Sequence, residues 1–294
     1  MYYQAMYSLS INEGATKICE SITGSKAKPF FIGRNGTIEL QTLYFWTMER
    51  PKLAYPPEIR RQIENNAGIF PATDSSIDAW CKAYAQSLTR LDGLAAGWYA
   101  PLKDIEAKLL TMCAPNAFRF PLRSLEPYYV EPSIQWSRLL ANTDVAVVSS
   151  FTKTIRSQLE KDIWNSGLLP STTKWHLVQT GYAPSLAQGS CEWPRDIDSW
   201  QAAVDSVVKK VVDTGASICI IGCGGMGMCI GAKLKMLGVS AIVLGGATQV
   251  LFGIKGRRWK NHDVISTFWN EEWVSPGADE IPGGAASVEG GCYW

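Results

Sequence analysis

The chain has 294 residues, of which 46% are hydrophobic and 19% charged, a composition typical of a globular protein with a large core. Its 28 basic and 27 acidic residues give a formal net charge of +1, which argues against a protein that binds nucleic acid through backbone charge. Residues 1–10 lack the basic and apolar segments of a secretory signal, and no apolar run reaches the roughly 20 residues of a membrane span. Eight cysteines are too few for a disulfide scaffold in so long a chain. We therefore expect a cytoplasmic protein with no nucleic-acid partner and no membrane span.

Apolar strands and helices alternate along most of the chain. The pattern predicts strands at residues 29–32, 145–148, 175–179, 217–221 and 241–244. It predicts helices between them at residues 37–48, 152–164, 197–212 and 226–237. This alternation predicts an α/β fold with a Rossmann-like, mostly parallel sheet and helices on both faces. We expect a single domain over residues 1–294. Residues 51–127 show no clear strand and are predicted to form a helical insertion, and the Pro- and Gly-rich residues 273–294 a docked tail.

A glycine-rich turn follows the strand predicted at 217–221. Gly222, Gly224 and Gly227 match the dinucleotide-binding fingerprint, with a strand before and a helix after it. That fingerprint needs an acidic residue about 20 positions later for the ribose hydroxyls, but residues 222–262 contain none. The turn therefore favours a phosphate site without nicotinamide, and tight helix–strand packing with no ligand is the alternative.

A basic run and a serine pair offer further contacts for phosphate. Residues 255–260 contain four cations, which either clamp a diphosphate or form a solvated turn. Ser149 and Ser150, with Thr152, precede the helix predicted at 152–164, where they either hold phosphate oxygens or only cap the helix. His262 follows the basic run and is a further candidate phosphate contact, although a lone surface histidine is common.

Several segments together resemble the glycosyltransferases of the GT-D fold. The stretch FIGRNGTIEL (residues 31–40) resembles that family's signature after its first strand, Arg-x-Gly-Asp-x-Glu, and residues 221–249 resemble its nucleotide-binding unit. The match is closer to relatives encoded by large DNA viruses such as chloroviruses, which share the run GGATQVLFGIKGRRW (245–259) and an ending like EGGCYW (289–294). Residues 65–71 and 150–151 also fit this pattern.

The resemblance implies transfer of a sugar from a UDP-sugar donor, UDP-xylose or a UDP-hexose, to a hydroxyl of a glycan acceptor, as in viral glycoprotein glycan synthesis in a host-cell cytoplasm. The donor-binding residues that we predict are Gly33, Arg34, Asn35, Gly36, Thr37, Ser149, Ser150, Phe151, Gly222, Gly224, Gly225, Gly246, Gln249, Lys255, Arg257, Arg258 and His262. The predicted catalytic carboxylates are Glu39 and Asp74. Each has a structural alternative, as a helix-dipole partner for Glu39 and as a helix N-cap for Asp74.

No cofactor is firmly implied. The family's Asp-x-Glu stretch reads Thr37-Ile38-Glu39 here, so a Mn²⁺ or Mg²⁺ site would lack one carboxylate, and the basic run would supply the charge instead. Two other functions stay open. The glycine fingerprint suggests an NAD(P)-dependent oxidoreductase, and a non-catalytic module that binds glycans or nucleotides would need neither Glu39 nor the basic run.

Overall fold

A computed structural model describes residues 9–50 and 52–294. Most of the amino-terminal segment in which we saw no secretory signal lies outside these residues. A seven-stranded parallel sheet organises the described chain, with the strands β1 Phe31–Arg34, β2 Gly93–Ala95, β3 Phe118–Phe120, β4 Asp144–Ser149, β5 Lys174–Gln179, β6 Ile218–Ile221 and β7 Ser240–Val243. Their spatial order is β3-β2-β1-β7-β6-β4-β5. The predicted α/β, Rossmann-like parallel sheet is confirmed.

Helices cover both faces of this sheet. They are α1 Ile11–Thr23, α2 Thr37–Met48, α3 Pro57–Asn65, α4 Asp74–Leu88, α5 Lys103–Cys113, α6 Leu122–Leu125, α7 Thr152–Gln158, α8 Pro184–Ala187, α9 Trp200–Asp213, α10 Gly227–Met236 and α11 Ala247–Leu251. Side chains of a strand alternate between the faces, so Cys219 and Ile221 of β6 join one core while Ile218 and Ile220 join the other. The first core lies against α4, α9 and α10, and the second against α1 and α7.

The prediction that residues 51–127 contain no strand is wrong. Strands β2 and β3 lie within this segment and extend the sheet beyond β1. Each has three residues, which is too short for a periodic pattern to appear in the sequence. Their pairing also depends on a packing detail, because a Cβ at Gly93 would lie 2.4 Å from the ring of Phe118.

The helix predicted at 152–164 is shorter than expected. It ends at Gln158, and the following segment is irregular because it packs against the second core. There the Trp164 indole donates a hydrogen bond to the Leu251 carbonyl (2.8 Å) and its ring stacks on Tyr128. These contacts outweigh the local preference for helix.

The tail, residues 273–294, contacts the rest of the described chain. Trp273 is buried, and its indole donates to the Ile163 carbonyl (3.2 Å), while Gln249 Nε2 donates to the backbone oxygen of Tyr293 (2.6 Å). The tail thus returns to the carboxyl ends of the strands. Over residues 9–50 and 52–294, none of the helices is both long and apolar enough to cross a bilayer.

Candidate active site

A cavity of about 710 Å³ lies at the carboxyl ends of the strands, which we call the strand-end cavity. This is where ligands bind in open parallel sheets, and the volume suits a ligand of nucleotide-sugar size. Thirteen of the predicted site residues line it: Arg34, Gly36, Thr37, Glu39, Ser149, Ser150, Phe151, Gly222, Gly224, Gly246, Gln249, Arg258 and His262. Segments that are far apart in sequence therefore share one cavity.

Arg34 and Arg258 converge on one short turn after β7, and we call them the arginine pair. A methyl group built at Gly245 would lie 3.3 Å from Arg34 Nη1, and one built at the adjacent Gly246 would lie 3.5 Å from Arg258 Nη1. A side chain at Gly245 would therefore crowd the Arg34 guanidinium, and one at Gly246 would touch that of Arg258. Two cations that lie against adjacent glycines suit the two phosphates of a diphosphate.

Aromatic rings orient both members of the arginine pair, and Glu289 forms an ion pair with Arg258 (3.5 Å). The Arg34 guanidinium lies 4.3 Å from the centre of the Trp98 ring, and Arg258 lies 4.8 Å from that of Tyr293. Cation–π contacts of this kind hold a guanidinium in place without neutralising its charge. Within the described chain, Arg34 Nε is buried without a hydrogen-bond partner.

His262 presents a hydrogen-bond donor to the same cavity. Its Nδ1 accepts hydrogen bonds from the backbone N–H groups of Val264 and Ile265, both at 3.2 Å. A ring nitrogen that accepts such bonds carries no proton, so the ring proton is on Nε2. The lining histidine is thus prepared to donate to a phosphate or a sugar oxygen.

The rest of the basic run does not join the arginine pair. Lys255 lies over the Trp269 ring (5.7 Å), and Arg257 donates to the Gly290 carbonyl (3.3 Å). Neither residue lines the strand-end cavity. Of the three cations that we predicted as a clamp in residues 255–258, only Arg258 lines the cavity, together with Arg34 of β1.

The glycine-rich turn after β6 is packed against protein atoms. Gly225 N–H donates to the Ala67 carbonyl (2.8 Å), and a Cβ at Gly224, where φ is +47°, would lie 2.7 Å from the same oxygen. A Cβ at Gly222 would lie 2.8 Å from Thr248 Oγ1. Because these glycines have no side chains, neighbouring segments pack closely against the turn. This agrees with the alternative that the turn serves tight packing with no ligand. Gly225 does not line the cavity.

The amino-terminal end of α7 is also occupied by protein. The buried Glu280 carboxylate of the tail accepts hydrogen bonds from Lys153 N (2.7 Å) and Thr154 N (3.2 Å). A carboxylate is a favourable partner for a helix amino terminus, so Glu280 takes the place in which we expected phosphate oxygens. Ser149 Oγ accepts from Phe151 N and Ser150 Oγ accepts from the Tyr182 hydroxyl, so both serine side chains already have protein partners.

Two other residues of the β1 signature have structural roles. Gly33 lies inside β1, where a Cβ would meet Met228 Sδ at 3.0 Å. The buried Asn35 accepts from the Tyr84 hydroxyl (2.9 Å) and donates to Glu106 Oε1 (2.7 Å). Neither residue lines the cavity. Asn35 instead positions the chain next to Arg34.

Glu39 lies in the cavity wall with only 8% of its surface exposed. Its carboxylate folds back over Gly36, where any Cβ would collide with it, and burial raises the pKa of Glu39 although Arg34 lowers it. Asp74 does not line the cavity. Its carboxylate forms an ion pair with Arg60 (2.5 Å), and Thr73, not Asp74, is the N-cap of α4.

Sequence reasoning missed two charged residues of the cavity, Arg123 and Glu126. They follow β3, the short strand that the pattern did not reveal, so nothing in the sequence placed them at a strand end. Burial raises the pKa of Glu126 to about 7, against the opposing charges of Arg123 and Arg34. Together with Glu39 and Glu289, the cavity has three carboxylates and three arginines among its described residues.

No protein-family model and no curated protein matches the chain. Three solved structures are similar to it. One is a glycosyltransferase (DUF1792) from Streptococcus sanguinis, with 13% sequence identity, 81% of each chain covered and a TM-score of 0.42. The other two are structures of domain of unknown function 1792, one of them described as having a distinct glycosyltransferase fold. Both have 14% identity, coverage of 92% of this chain and 91% of theirs, and a TM-score of 0.45.

Proposed function

We propose that the protein is a glycosyltransferase that moves a sugar from a UDP-sugar to a hydroxyl of a glycan acceptor. The observation that carries this proposal is the meeting of the motif segments around one cavity. Arg34 of the 31–40 segment and Arg258 of the 245–259 segment flank the same two glycines, and the 289–294 segment closes the wall beside them. A diphosphate between the two guanidinium groups would direct the attached sugar into the cavity.

The arginine pair also suits the chemistry of the leaving group. Negative charge grows on the diphosphate as the bond to the sugar breaks, and fixed cations stabilise that charge more in the transition state than in the ground state. His262 Nε2–H adds a neutral donor to the same wall. In this proposal, Glu39 lies beside Arg34 and contacts the donor sugar.

A protein-held divalent cation does not fit this site. Thr37 and Glu39 supply one carboxylate, which lies against Gly36 and near Arg34. The described residues contain no group of three Asp, Glu, His or Cys side chains that could hold a metal. Hard divalent cations need several charged oxygen ligands. We therefore assign the neutralisation of the diphosphate to the arginine pair.

The alternatives have less support from the geometry. An oxidoreductase would bind a dinucleotide on the turn after β6, but Gly225 N–H and the Gly224 surface are used by Ala67. A non-catalytic module would not need buried carboxylates with raised pKa values in its binding cavity, as Glu39 and Glu126 are.

Calorimetric titration tests the proposal. We expect UDP to bind and NAD⁺ not to bind. A screen of UDP-xylose, UDP-glucose and UDP-galactose for hydrolysis, with identification of the released sugar, would then name the donor. Binding of NAD⁺ without UDP would favour the oxidoreductase, and UDP binding without turnover of any donor would favour the module.

A further inference from the structure

Glu126 faces the strand-end cavity from the side opposite the turn after β6. It follows α6 beyond the carboxyl end of β3, and only 8% of its surface is exposed. In the sheet, β3 lies three strand spacings from β7, about 14 Å at roughly 4.8 Å each. The arginine pair flanks the turn after β7, so a donor sugar that extends from the diphosphate has room before it reaches Glu126.

Glu126 forms an ion pair with Arg123 but accepts no hydrogen bond from it. Arg123 Nη1 is 4.0 Å from Glu126 Oε2, an ion pair that lies beyond hydrogen-bonding distance. The Arg123 guanidinium itself rests on the Tyr129 ring, 3.8 Å from its centre. The Arg123 guanidinium is thus held against an aromatic ring and does not form a hydrogen bond with the Glu126 carboxylate.

The protonation of Glu126 suits proton transfer near neutral pH. Burial raises the pKa of Glu126 to about 7, although the charges of Arg123 and Arg34 and the phenol of Tyr128 act to lower it. A general base works best when its pKa lies close to the operating pH. Glu39 differs, because its carboxylate folds onto Gly36 and its own backbone N–H, as a helix-terminal carboxylate does.

We propose that Glu126 is the general base that accepts the proton of the acceptor hydroxyl, which assigns the β2–β3 side of the cavity to the acceptor. This inference rests on the proposed glycosyltransferase function. The acceptor O–H bond breaks and its proton passes to a Glu126 oxygen, while the acceptor oxygen forms a bond to the anomeric carbon. The bond from that carbon to the diphosphate breaks, and its electron pair leaves with the diphosphate. Glu126 then returns the proton to water, and the anomeric configuration is inverted.

The test compares Glu126→Gln with the wild type and with Glu131→Gln, a matched control at an exposed residue five positions later. We expect Glu126→Gln to keep the UDP Kd within about twofold and to lose roughly 10²–10⁴-fold in kcat. The control should match the wild type in both. In the wild type, log kcat/KM should fall with unit slope below pH of about 7, because the protonated carboxyl cannot accept a proton. That acidic limb should be absent from the residual activity of Glu126→Gln, an effect that a purely structural role would not produce.

The outcomes separate the two proposals. If the wild type neither binds UDP nor consumes any UDP-sugar, the proposed function and the role of Glu126 both fail. If it transfers sugar and Glu126→Gln turns over equally fast, only the role of Glu126 is overturned. If the variant does not fold, the pH profile and the product configuration of the wild-type enzyme still test the role of Glu126. A pH profile that is flat down to pH 5, or a product with retained anomeric configuration, would overturn the assignment.

Discussion

The two halves of the strand-end cavity treat an anion differently. Around β6 and β4, the groups expected to bind phosphate are already used, since the Ala67 carbonyl accepts from Gly225 and the Glu280 carboxylate caps α7. Around β1 and β7, two guanidinium groups flank bare glycines and lie over aromatic rings, and Arg258 also pairs with Glu289 (3.5 Å). The comparison shows that a strand–turn–helix unit with small residues is not by itself a phosphate site, because protein atoms can take the same positions.

Of the changes that compare the two halves, the largest effect should come from the arginine pair. Arg258→Gln should lower kcat/KM for the sugar donor by about 10²–10³-fold, because it removes a fixed cation from the leaving diphosphate. Arg257→Gln is the matched control, since the neighbouring guanidinium binds the Gly290 carbonyl outside the cavity. Its activity should stay within about threefold of the wild type. Steady-state kinetics on both variants checks this, and equal losses would argue that the run acts as one basic patch.

A smaller effect, on stability instead of donor binding, is expected at the end of α7. Glu280→Gln removes a buried charge that accepts hydrogen bonds from Lys153 N and Thr154 N. We expect the free energy of unfolding in urea to fall by about 1–3 kcal/mol. The UDP Kd of the folded protein should not change. A weaker UDP affinity at unchanged stability would instead assign this helix end to the donor site.

Gly224→Ala and Gly246→Ala separate the two halves with a single methyl group. At Gly224, φ is +47° and the methyl would meet the Ala67 carbonyl at 2.7 Å. The free energy of unfolding should therefore fall by about 1 kcal/mol or more. At Gly246, φ is −61° and the methyl would lie 3.2 Å from the Tyr293 ring and 3.5 Å from Arg258. There we expect weaker UDP binding with little loss of stability. Calorimetry and urea unfolding on both variants measure the contrast, and the reverse pattern would exchange the roles of the two turns.

The smallest expected effect is that of metal removal. Because Glu39 is the only carboxylate of the 37–39 stretch and the arginine pair carries the charge, transfer activity should persist in excess EDTA. The measurement is the initial rate of sugar transfer before and after chelation. Complete loss that Mn²⁺ restores would show that donor phosphates and other residues complete a metal site.

The sequence was informative where a pattern is long and local. Helix α2 has the predicted bounds Thr37–Met48, and the strands of four or more residues lie within about two residues of their predicted positions. The sequence pattern does not reveal strands β2 and β3, because three residues cannot show a period. Arg123 and Glu126 follow β3, so the pattern did not place them at a strand end either.

The amino-acid sequence by itself determined the class of the fold and the edge of the sheet at which small and charged residues collect. Apolar runs bury the strands, and glycines at their ends follow from the tight turns into helices. Only the tertiary structure decided which of those residues face the cavity. Hydrogen bonds between distant segments, such as Gly225 to Ala67 and α7 to Glu280, consume donors that look free in the sequence. Long-range packing likewise brings Arg34 beside Arg258, because side chains 224 positions apart meet only when β1 and β7 pair.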